Sequence, residues 1–139
     1  MSTNSQFTVM VHVLTMLRAA PDPLSSTVIA DSVNANPVTI RKVIGKLRDA
    51  GWVATIPGAN GGAVLRRDAA KISLGDVYLL VREESLFGMH INTPNPNCPV
   101  GSNIQDVLAD VYTETDHRVI ESLSAISIQD VWERILAKI

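Results

Sequence analysis

The sequence contains a single cysteine, Cys98, which excludes an intramolecular disulfide framework and an all-cysteine metal site within one chain. It lacks any apolar run near the roughly 18 residues that a membrane span needs, so no membrane partner is expected. The start, "MSTNSQFTVMVHVLTML", has neither a basic leader nor a small-residue cleavage site, and the reading is a mature cytoplasmic protein. Internal repeats and low-complexity segments are absent. Charged residues reach only 19%, yet 46% of the 139 residues are hydrophobic, which suits one cored domain with a subdomain appended.

An overall positive charge is also lacking: the formal net charge is −2 and the sequence pI is about 5.8. The distribution matters more. Ser25 to Arg67 holds six basic residues (Arg41, Lys42, Lys46, Arg48, Arg66, Arg67) against two acidic ones, Asp31 and Asp49. Asp68 to Ile139 holds five basic residues against eleven acidic ones. Charges beyond a Debye length of about 10 Å are largely screened, so a basic module can bind phosphates beside an acidic one.

What is present is mainly helical pattern. Phe7, Met10, Val13, Leu14 and Leu17 recur at helical spacing after a cap at Ser5, and Val9 and Val11 widen the apolar surface. After "APDP", Ser25 or Ser26 caps a short helix to Val33, with Val28, Ile29 and Val33 inward. In "NANPVTIRKVIGKLRDAGW", Asn36 is an N-cap and Pro37 occupies the first helical position, where its missing N–H costs nothing. Ile40, Val43, Ile44 and Leu47 then form one stripe, and Gly51 closes the helix. Its outer face carries Val38, Thr39, Arg41, Lys42, Gly45 and Lys46. Two helices around a tight turn, the second basic outside and apolar inside, form the helix-turn-helix pattern; a merely solvated amphipathic helix is the alternative.

"WVATI" and "AVLRR" read as strands around "PGANGG", where Asn60-Gly61 suits a type I′ turn. A phosphate loop needs a following Lys and Ser or Thr, and a dinucleotide loop opens a helix; neither condition holds. The glycine knot therefore reads as a hairpin tip, the wing of a winged helix. Downstream, Ser73 with Asp76 caps a helix whose buried side is Val77, Leu80 and Val81. "FGMHINTPNPNCPVGSN" is a loop. A long helix is expected from Ser102 to about Ser122 with Ile104, Val107, Leu108, Val111, Val119, Ile120 and Leu123 apolar, long enough to pair with a second copy. Packing on its own domain is the alternative. Ser127 with Asp130 caps the last helix, whose apolar positions are Ile128, Val131, Trp132, Ile135, Leu136 and Ile139.

"VIADSV", "NPVTIRKVIGKLRDAGWV", "GANGGAVL" and "ISLGDVYLLV" stand in the order of the Rrf-type winged-helix transcriptional regulators (the IscR, NsrR and CymR group), which the chain resembles along nearly its whole length. "NPNCPVG" is similar to the YwnA-like branch. The resemblance implies a mainly α fold with a small β-hairpin. It further implies a dimeric repressor on a palindromic operator, with recognition helix Pro37 to Ala50 and wing Pro57 to Ala63. Two departures stand out. Family wings often carry arginine and another basic residue where this chain has Pro57 and Ala59, so wing affinity is expected to rest on Asn60 and the backbone. Cluster-binding members use three cysteines, and with Cys98 alone no iron–sulfur cofactor is expected.

The resulting expectation is a non-enzymatic regulator, with a DNA-binding domain over 1–68 and a helical effector and dimerisation region over 69–139. Its double-stranded DNA contacts are Ser26, Asn36, Pro37, Val38, Thr39, Arg41, Lys42, Lys46, Asn60, Gly61 and Arg66. Its homodimer contacts are Ile104, Leu108, Val111, Val119 and Leu123. Cys98 is the candidate sensor of an oxidant or small-molecule effector; the alternative is a small packing residue. His90 can approach Cys98 across the loop, but without a His-x-x-x-His pair no metal site is expected, and His12 reads as a packed or hydrogen-bonded side chain. Glu83 to Ser85 reads as a solvated helix end rather than a carboxylate dyad. Two rival functions remain at this point: a winged helix that binds protein, and a small thiol-dependent enzyme using Cys98.

Overall fold

The computed structural model describes residues 3–82 and 86–139; the Glu83–Ser85 reading lies outside them. Helices α1 (Thr3–Ala19), α2 (Ser26–Val33) and α3 (Pro37–Asp49) precede strands β1 (Val53–Ile56) and β2 (Gly62–Leu65). A 3-10 turn at Ala69–Lys71 follows, then α4 (Leu74–Val81), α5 (Ile104–Ser124) and α6 (Ile128–Leu136). The architecture is the expected one, mainly α with one antiparallel hairpin.

Helix α1 is the hub. Met10, Val13, Leu14 and Leu17 are buried, and Phe7, Val9, Val11 and Met16 pack against the same core, so the helix is covered on several sides. Thr15, also buried, satisfies its hydroxyl on the Val11 carbonyl at 2.7 Å. The core is continuous from Met10 through Ile40 and Val53 to Ile72, Val77 and Ile128, so it crosses Asp68 without a break. Helix α6 closes it by packing on α1.

Local chemistry sets most boundaries. Asn36 accepts the Val38 N–H at 2.9 Å, with Pro37 at the first helical position. Gly51, at φ +84°, donates to the Arg48 carbonyl while Trp52 donates to Leu47, a Schellman closure of α3. Ser73 with Asp76, and Ser127 with Asp130, form reciprocal capping boxes on α4 and α6.

Five local expectations need correction. Ser5 lies inside α1, which begins at Thr3, so it is not the cap. Val28 is 51% exposed because the buried line of α2 runs through Ile29 and Ala30 instead. Leu80 is outward, and Tyr78 takes its place beside Val77 and Val81. The loop after Cys98 winds through turns, so α5 starts at Ile104 rather than Ser102.

The fifth concerns the wing. Ile56 pairs with Gly62 and Val53 with Leu65, leaving the five-residue loop Pro57–Gly61. Positive φ occurs at Gly58 and Gly62, not at Asn60 or Gly61, so the turn is not type I′. Gly61 donates to the Gly58 carbonyl at 3.1 Å across Ala59 and Asn60. A two-residue turn at Asn60-Gly61 would slip the register by three residues and set Asp68 opposite buried Val53. It would also demand a ladder N–H from Pro57, which has none.

Candidate nucleic-acid interface

The recognition-type helix α3 divides cleanly. Ile40, Val43, Ile44 and Leu47 are buried, which fixes the helix on α1, α2 and β1. The same anchoring turns Val38, Arg41, Lys42 and Lys46 outward, with Thr39 and Gly45 half-buried beside them. Among the described residues the ion pairs are Arg82–Asp116 and Arg118–Glu114, so the α3 cations are not neutralised by a carboxylate there. Arg48 adds a further exposed cation near the helix end.

The wing is anchored beside the start of α2. Leu24 and Ala63 exchange both backbone hydrogen bonds, at 3.1 and 2.8 Å, so a one-residue third strand ties the hairpin to the chain entering α2. Nothing in the sequence pattern announced this bridge. It requires Gly62: at φ +147°, any Cβ would overlap the Leu24 carbonyl and lie 2.9 Å from the Ser25 nitrogen. The bridge leaves a groove lined by Leu24, Ser25, Val28, Ala59, Asn60 and Gly61, with Val28 supplying its apolar wall. Ser25 is the cap of α2, accepting the Val28 N–H, and Ser26 is the first helical residue.

The predicted DNA contacts therefore fall into two groups. Asn36 caps α3, which carries Pro37, Val38, Thr39, Arg41, Lys42 and Lys46, while Asn60 and Gly61 line the wing groove and Ser26 opens α2 next to the groove's Ser25. Asn60 is exposed, but Gly61 is half-buried and spends its N–H inside the turn. Arg66 is exposed and leaves β2 with its own N–H bonded to the Trp52 carbonyl. The candidate pairing residues of α5 are half-buried at Ile104, Leu108, Val119 and Leu123, and Val111 is exposed.

Cys98 is half-buried in the loop before α5. Hydrogen bonds from the backbone N–H groups of Gly101 and Val100 hold its thiol below the ordinary value. The cause is this local turn, not the start of α5 six residues on. His12 hydrogen-bonds Ser32 at 3.0 Å, in keeping with its reading as a satisfied side chain. Sequence reasoning missed a buried polar cluster: Asp116 of α5 accepts a hydrogen bond from Tyr78 and pairs with Arg82. These partners are far apart in sequence, and Asp116 sits in a helix whose other charged residues are exposed, so no local signal marks it.

A family model described as Rrf2, iron-dependent transcriptional regulator, matches residues 3–134. The chain belongs to the Rrf2 family. It is 38% identical over 133 residues to YwnA of Bacillus subtilis (strain 168), assigned to the HTH-type transcriptional regulators; the match covers 95% of this chain and 98% of that one. A crystal structure from Lactobacillus plantarum, also assigned as a transcriptional regulator, superposes with TM-score 0.80 at 26% identity, covering 94% of this chain and 89% of that one. A second, assigned as a DNA-binding protein, gives TM-score 0.72 at 34% identity, covering 91% and 97%. The matched family and YwnA are transcriptional regulators and not enzymes, which removes the thiol-enzyme alternative. The iron in the family description does not fit this member: it has one cysteine, and among its described residues no three His, Cys, Asp or Glu side chains group to hold a metal.

Proposed function

We propose that this Rrf2-family regulator is a dimeric repressor that binds a palindromic operator in double-stranded DNA. The observation that carries the reading is the exposed row Arg41, Lys42 and Lys46, which no carboxylate among the described residues pairs, on a helix whose opposite face is locked into the core. In this reading residues 1–68 hold the duplex and residues 69–139 pair the two copies. The N-terminal half of α3 enters the major groove, where Val38 and Thr39 meet thymine methyls and Arg41 reads guanine or phosphate. Lys42, Lys46 and Arg66 hold phosphates, and the wing at Asn60 lies along the neighbouring backbone with Ser26 at the start of α2. The relative assigned as a DNA-binding protein, at 34% identity, supports the same direction.

Pairing runs along α5. Val107 and Val111 are 57% and 49% exposed on a helix that buries only Asp116 within its own chain, and such an apolar face suits a second copy. Cys98 is the point where an oxidant or electrophile would act, because its lowered pKa favours the reactive thiolate and its loop leads into α5.

The test is a DNA titration on genomic fragments recovered with the purified protein. Arg41→Ala is expected to weaken binding by about 1–3 kcal/mol and relax specificity at one base position, while Lys46→Ala reduces the salt slope by about one unit. Unchanged operator affinity in Arg41→Ala would contradict the placement of α3. A flat salt dependence would favour protein docking instead.

A further inference from the structure

We propose that Asp116, Tyr78 and Arg82 are positioning residues that fix the angle between the DNA-reading body and the long helix, and so the spacing between half-sites; this rests on the paired reading of α5. Among the described residues Asp116 is the one buried residue of α5, at 5% exposure, and a buried carboxylate is tolerated only when its oxygens are satisfied. Both are. Oδ1 accepts the Tyr78 hydroxyl at 2.8 Å, and Oδ2 accepts from the Arg82 guanidinium in an ion pair. That guanidinium lies 5.8 Å from the centre of the Tyr78 ring, and Phe7 of α1 meets the ring edge-on at 6.3 Å. The cluster thus joins α1, α4 and α5.

A second contact makes the cluster angular. A Cβ on Gly75 of α4 would overlap the Ser124 hydroxyl and lie 3.0 Å from Ser124 Cα, so the two helices touch there nearly backbone to backbone. Ser124 and Asp116 are about 12 Å apart along α5 at the helical rise of about 1.5 Å per residue. One close contact leaves the helices free to pivot; two separated contacts set their crossing angle. Apolar packing is non-directional, whereas hydrogen bonds to a carboxylate are directional, so the latch at Asp116 defines the angle about the Gly75–Ser124 pivot.

The lever is long. Over 21 residues, α5 spans about 31 Å, and a tilt of about 6° moves its far end by about 3 Å, close to the step of one base pair. If two copies meet along α5, this angle sets where each α3 meets the duplex. The latch is a specificity device for spacing, separate from base reading by α3.

The experiment selects palindromic duplexes from a random pool with the full-length wild-type chain, then titrates the best site with its spacer lengthened or shortened by one base pair. Wild type is expected to lose at least about tenfold in affinity for either change, since one base pair also rotates the second half-site by about 35°. Tyr78→Phe and Asp116→Asn are each expected to lose no more than about threefold, with affinity for an isolated half-site unchanged. Variants that keep the full spacing penalty would overturn the latch alone. A wild-type chain that selects no palindrome, or ignores spacing, would overturn the paired reading and the latch with it. Where Asp116→Asn fails to fold by circular dichroism, Tyr78→Phe decides, because it keeps the ring against Phe7 and removes only the hydroxyl.

Discussion

Replacing Gly62 with alanine isolates what holds the wing in place. Gly62 has φ +147°, and the added Cβ would overlap the Leu24 carbonyl, which is backbone and cannot swing away. Two costs follow. A non-glycine residue in this region carries strain of about 1–3 kcal/mol. Relief requires moving residues 24–25 away, which gives up the two Leu24–Ala63 hydrogen bonds of 3.1 and 2.8 Å, at about 1 kcal/mol each. Gly62→Ala is therefore expected to cost about 3–5 kcal/mol, a large share of the 5–15 kcal/mol that a folded domain typically has. Asn60→Ala is the control: Asn60 is exposed with negative φ, and the change should stay within about 0.5 kcal/mol. Urea unfolding followed by circular dichroism, with all variants at one protein concentration, measures both. Asn60→Ala costing more than Gly62→Ala would refute the five-residue loop and restore a turn centred on Asn60.

Cys98 should alkylate with iodoacetamide at a lower pH midpoint in the native chain than in urea, since Gly101 and Val100 favour its thiolate; a native midpoint equal or higher would end the sensor assignment. Asp130 is held below its usual pKa by the Ser127 N–H and hydroxyl of its capping box. A carboxylate depressed on folding stabilises above its unfolded pKa and loses that contribution as pH falls through the folded value. Stability of wild type should thus decline more steeply than that of Asp130→Asn from about pH 5 downward, and parallel curves would contradict the assignment.

The parts legible in the sequence are those written within two helical turns. The stripe Ile40, Val43, Ile44, Leu47 and the caps Asn36, Ser73 and Ser127 act over two to seven residues, and each stands where the pattern placed it. Val28 and Leu80 were misplaced because a short apolar helix offers several candidate faces, and tertiary contacts choose among them. The wing turn failed for a related reason: Asn-Gly favours a two-residue loop locally, but register is set by burying Val53 and Ala63 together. The bridge from Leu24 to Ala63 and the Asp116 cluster join residues 34 or more positions apart, and no local spacing encodes such a pair. On the candidate interface, residue types and helix face were readable. The coupling of the wing to α2 was not.

The central claim is that two copies of this chain grip one duplex through the cations of α3. Sedimentation of the protein with a selected operator duplex, repeated over a salt series, tests it most directly. The account predicts two chains per duplex, with log K falling linearly as log salt rises, at a slope near −0.9 for each phosphate neutralised. One chain per duplex, or no complex in dilute buffer, would contradict it.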